Sequence, residues 1–198
     1  MTLVTATTAA VRQVRGARTV DPLRTMAAAA AHVHRWAATA EGRRRTAQVL
    51  QSLDPGWHVI QNIRLPDGGH ADHLAIGPSG VYVLDSRAWH GVVTVDHKGA
   101  TITPEGRPAA AWTARGQHCS LAPAAAALGR AVCADGGSLP TPHAVVVIWA
   151  PFPEGVAVSR GITFVAGDRL AGWMSEQPRR PQVPSGDRSG AVLVPPSA

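Results

Sequence analysis

The chain has 198 residues, 45% of them hydrophobic, and a mean hydropathy of -0.01, which suits one domain with tails and leaves too little for a second full domain. No stretch reaches the roughly 18 uninterrupted apolar residues of a membrane span, so the composition predicts a soluble protein. The whole net charge of +6 sits in the first 45 residues, where eight arginines meet only Asp21 and Glu41. Such a segment suits nucleic-acid phosphates or an anionic surface, and equally a solvated basic arm.

The N-terminal segment lacks the apolar core and cleavage pattern of a secretory signal. The cysteines are Cys119 and Cys133. On one helix they would lie roughly 20 Å apart, too far for a disulfide. A reducing, cytoplasmic setting is therefore expected.

Residues 1–23 show no periodicity and read as a flexible basic arm. Residues 24–53 are Ala-rich, with Leu50 and Leu53 near the end, and predict a long helix stopped by Asp54-Pro55-Gly56. Strands are expected at Trp57 to Arg64, Ala71 to Gly77 and Val81 to Asp85, the last two separated by Pro78-Ser79. A further strand, Val92 to Asp96, should pair through the Lys98-Gly99 turn with residues 100–103. Residues 117–134 read as a helix in which Pro123 marks a start or a kink. Ala144 to Ala150 is continuously apolar, as expected of a strand buried on both faces. A strand near 162–166 and a short helix near 168–175 complete a domain over 24–176, followed by a Pro/Ser/Gly/Arg-rich disordered tail over 177–198. The order argues for an α/β fold with a mixed central sheet flanked by helices.

The segment ADHLAIGPSGVYVLDSRAWHG, residues 71–91, is the most informative. A two-residue turn at Pro78-Ser79 makes Gly77 face Gly80, Ile76 face Val81 and Leu74 face Val83. Asp72 then faces Asp85 on one side of the sheet, and Arg87 projects from that side too. Like charges across two strands among aliphatic neighbours are unfavourable unless a divalent cation, a shared proton or Arg87 compensates. Two acids with a nearby cation are the minimal equipment for metal-assisted phosphodiester hydrolysis. The plainer alternative is a turn-ending Asp72 and an Asp85–Arg87 ion pair at a strand end.

These residues resemble the nuclease-related domain, NERD, a family similar to the restriction-endonuclease-like PD-(D/E)XK nucleases. The likeness runs over roughly residues 39–150, from AEGRRRTAQVL through GWHVIQNIRLP and the hairpin to AVVVIWA. It implies a restriction-endonuclease-like core, Asp72 and Asp85 as ligands of Mg²⁺ or Mn²⁺, and DNA as substrate. The family's Glu-x-Lys falls on Asp85-Ser86-Arg87. Arginine there cannot readily lose a proton and is broader than lysine. The Glu that commonly follows a Gly on the first helix is replaced by Arg43 after Gly42, and Glu41 lies one residue, about 100°, away. Gln117 fits the Gln that often opens the later helix. The implied catalytic set is thus Asp72, Asp85 and Arg87 with Gln117 and Glu41, while Arg43, Arg44 and Arg45 would hold nucleic acid. The resemblance supports two readings: a Mg²⁺-dependent nuclease, or an inactive nuclease-fold module that binds DNA or a protein partner.

Nine histidines invite a zinc reading, but neither cysteine has a CxxC partner, and His73 should face away from Asp72. The Gly-rich turns lack a phosphate-loop pattern.

Overall fold

The run HAVVVI, apolar after His143, fills a strand whose alternate side chains enter two different cores, and the whole fold is built around it. The computed structural model describes residues 38–114, 120–136 and 140–179. The expected arm at 1–23, the first part of the expected N-terminal helix and the tail from 180 onward lie outside the described residues, as do Gln117 and Cys119.

The described chain runs through α1 (38–51), β1 (His58–Arg64), β2 (His70–Gly77), β3 (Gly80–Arg87), β4 (Val92–Asp96), β5 (Gly99–Thr103), β6 (Trp112–Thr113), α2 (Leu121–Ala134), β7 (His143–Ile148), β8 (Val156–Ser159), β9 (Ile162–Ala166) and α3 (Leu170–Glu176). Six strands form a mixed sheet in the order β1-β2-β3-β7-β9-β8. β3, β7 and β9 are parallel and the remaining pairings are antiparallel. β4 and β5 pair as expected, Val92 with Thr103 and Asp96 with Gly99. With β6 they make a separate three-stranded sheet.

One face of the large sheet presents Leu74, Val83, Val146 and Phe164, which pack with Leu121, Ala124 and Ala125 of α2 and with Val93 and Ile102 of the small sheet. The other presents Ala75, Tyr82, Leu84, Val145, Val147 and Val165, which meet Leu50 of α1 and Leu170 and Met174 of α3. Val145, Val146 and Val147 are fully buried, each contributing about 1.5–3 kcal/mol. Polar substitution there would break a core on whichever side it pointed.

Pro123 is the third residue of α2, in the first turn, where its missing N–H leaves no helical bond unmade. Gly77 is fixed by contact: a Cβ there would lie 2.3 Å from the Trp57 ring, so the indole rests on bare backbone. α1 buries Gly42, Thr46 and Leu50, a stripe at four-residue spacing. At about 100° per residue, Arg43 and Arg45 leave on opposite flanks of that stripe, while Arg44 and Glu41 point outward.

Candidate functional site

The hairpin has the register that its turn dictates: His73 pairs with Leu84, Leu74 with Val83 and Gly77 with Gly80. Continuing it by one pair sets Asp72 opposite Asp85. On the far side of β2, Gln61 pairs with His73 and Ile63 with Ala71, which sets Asn62 opposite Asp72. Asn62, Asp72 and Asp85 therefore form one row across three strands. Asn62 holds a left-handed backbone (φ 53°), a conformation asparagine tolerates better than most residues.

Asp72 is 8% exposed. Its Oδ2 accepts the Ser86 backbone N–H at 2.7 Å, and its Oδ1 lies 2.5 Å from Nε of Arg43, which reaches in from α1. Asp85 pairs with Arg87, two residues on, and both side chains are mostly buried. Burial pushes the Asp85 carboxyl up to about 7; the Arg87 charge opposes this, and the neighbouring charge of Asp72 and a hydrogen bond to it add to the rise. The expected like-charge cost is thus met by a guanidinium on each acid, and the raised pKa of Asp85 eases its protonation. A cavity of about 180 Å³ opens over this row, lined by Arg43, Asn62, His70, Asp72, Asp85 and Arg87, with the start of α2 as its further wall.

The remaining candidates separate. Glu41 is exposed and takes a two-pronged bond from Arg44, at 2.7 and 2.8 Å, so neither residue enters the cleft. Arg45 stacks over Trp149, its Cζ 4.1 Å from the ring centroid. His73 is 1% exposed, and burial lowers its pKa. Its lateral partner Leu84 belongs to the core under α1 and α3, so it faces away from the acids.

Two features were not singled out from the sequence. One is Asn62, whose signal was an asparagine inside a run of β-formers. The other is Thr46, fully buried, whose Oγ1 accepts the Trp149 Nε1–H at 2.8 Å and the Ser86 hydroxyl at 2.9 Å. Since Ser86 also donates its N–H to Asp72, Thr46 ties α1 to the strand end bearing the acids.

A divalent cation does not fit these residues as they stand. The cleft sets two guanidiniums against two carboxylates, leaving little charge to draw in an ion that favours oxygen donors of net negative charge. Among the described residues no group of three or more His, Cys, Asp or Glu side chains is placed to hold a metal. No helix among them is long and apolar enough to cross a membrane.

No curated protein and no solved structure matches the chain. A family model does, and it ends in the first turn of α2, before β7, a strand that the sequence resemblance had included. Residues 38–123, which supply α1, the hairpin and every described wall of the acid cleft except Ala124, match the model of NERD, the nuclease-related domain, a family of restriction-endonuclease-like character.

Proposed function

We propose that this domain is a nuclease-derived module that binds nucleic acid, DNA foremost, and does not cut it. The reading is carried by one observation: each acid of the pair has its own guanidinium, Arg43 on Asp72 and Arg87 on Asp85. The family resemblance puts an acid at position 43 and a lysine at position 87. Replacing both by arginine inverts one charge and makes the other permanent, so the site loses its pull on a cation while it keeps its shape. Binding then rests on Arg43, Arg45 and Arg87 together with the arginines of the N-terminal 45 residues, and follows the salt dependence of phosphate contacts.

The competing reading, phosphodiester hydrolysis with Mg²⁺ or Mn²⁺, is favoured by the adjacency of Asp72 and Asp85. It requires both guanidiniums to withdraw. The test is calorimetric titration of the full chain with Mg²⁺ and Mn²⁺, alongside Asp72→Asn, with a mixed linear, nicked and single-stranded DNA panel in the same buffers. DNA binding that weakens with salt, without metal uptake or cleavage, is the expected result. Metal-dependent cleavage that disappears in Asp72→Asn would overturn the proposal.

A further inference from the structure

A second cavity, of about 490 Å³, lies at the C-terminal ends of the parallel strands β7 and β9, apart from the acid cleft. Its volume is in the range of sites that enclose small organic ligands, and the carboxyl ends of parallel strands are where open α/β sheets bind them. Arg45 and Arg169 contribute two guanidiniums to its wall, Asp168 one exposed carboxylate, and Trp149 and Phe152 apolar surface.

Both residues are exposed, and each guanidinium rests on a neighbouring surface. Arg45 lies flat on the Trp149 indole. That indole is itself fixed, by its hydrogen bond to Thr46 and by close packing on Gly167, where a Cβ would come within 2.4 Å of the ring. Arg169 rests on Gly155, where a Cβ would come within 2.7 Å of Nη1. Among the described residues neither guanidinium has a hydrogen bond or an ion pair. A stacked, pre-oriented guanidinium has already lost the freedom it would otherwise lose on binding, and its fork suits phosphate oxygens.

We infer that this cavity takes the terminal phosphate of a nucleic-acid strand, with its nucleotide against the stacked Arg45 plane. Two guanidinium forks suit the three free oxygens of a terminal phosphate better than the two of an internal diester, with the exposed Asp168 carboxylate at the same wall. The shared anchor Thr46 joins the cavity to the acid cleft, since the same hydroxyl oxygen takes bonds from Trp149 and from Ser86. A strand end seated here would be fixed relative to backbone lying over Asp72 and Asp85. This inference rests on the nucleic-acid reading proposed above.

The test is fluorescence anisotropy of the full chain with one short single-stranded oligodeoxynucleotide in three forms: 5′-phosphorylated, 3′-phosphorylated and without a terminal phosphate. One phosphorylated form should bind about tenfold more tightly than the bare strand, the scale of an added charge-assisted contact. Inorganic phosphate should remove that advantage, and Arg169→Gln should abolish it while leaving bare-strand affinity unchanged. Equal affinity for all three strands would overturn the inference and leave nucleic-acid binding by the cleft intact. If no strand binds, the nucleic-acid reading fails; calorimetry with a nucleoside monophosphate then decides the cavity, which stands only if binding is present and lost in Arg169→Gln.

Discussion

Replacing Asp85 by Asn should flatten a pH dependence of stability that the native chain carries. An aspartate in an unfolded chain titrates near 3.9, whereas burial raises the folded Asp85 carboxyl to about 7. Between those values the folded state keeps a proton that the unfolded state has lost, so stability is full below about pH 4 and falls as pH rises through 7. Three pKa units at 1.36 kcal/mol each set a ceiling of about 4 kcal/mol, and the solvent access that Asp85 retains lowers this to about 2–3 kcal/mol. His73 acts in the opposite sense: its folded pKa is lowered, so its contribution is present above about pH 6.5 and lost as pH falls. Asp85→Asn keeps His73 and every other titrating group, so the difference between the two proteins isolates Asp85. Urea unfolding of both at several pH values from about 5 to about 8 measures it. A native chain as stable at pH 8 as at pH 5 relative to Asp85→Asn would refute the buried, proton-sharing acid pair.

The double substitution Arg43→Glu with Arg87→Lys should create uptake of Mn²⁺ visible by calorimetry, because it turns a balanced cleft into one with three acids around a single lysine. Thr46→Val removes the hydroxyl that joins Ser86 to Trp149 and should cost about 1–3 kcal/mol in urea unfolding, with Thr46→Ser losing much less. Gly77→Ala must push its Cβ into the Trp57 ring and should destabilise by about 1–3 kcal/mol, accompanied by a shift in tryptophan emission.

The hairpin was legible because its turn fixes its register and a two-residue period carries that register to Asp72 and Asp85. The β7 strand was legible because burial on both faces leaves no polar position after His143. β8 was not: on this edge strand Val156 and Val158 point outward while Ala157 and Ser159 point inward, so the apolar residues do not mark the buried set. β6 has two residues, too few for any period. The split into two sheets depends on where the chain turns after Arg87, which the local pattern of β4 and β5 does not encode. In the site, the inward turn of Arg43 followed from the helical wheel only once Thr46 was known to be buried, a fact set by Ser86 and Trp149, 40 and 103 residues away.

The permanence of the arginine charges makes Asp85 the group that sets the charge of the cleft near neutral pH. A lysine at position 87 could give up its proton when crowded by burial; a guanidinium does not. When Asp85 takes up a proton, one negative charge leaves a cavity that Arg43 and Arg87 also line, and a nucleic-acid phosphate near them meets one more unit of positive potential. At an effective dielectric of 20 and a separation of about 8 Å, one unit charge acts on a phosphate with about 2 kcal/mol before salt screening, and screening at physiological ionic strength leaves about 1 kcal/mol. DNA affinity at fixed salt should therefore fall about three- to fourfold between pH 6 and pH 8 in the native chain beyond whatever fall Asp85→Asn shows, because Asp85 is only partly titrated at either end of that interval. The histidines are common to both proteins and cancel in that comparison. Anisotropy titrations of the two at the two pH values measure the difference, and identical pH dependence would show that bound phosphate does not lie over the Asp72–Asp85 row.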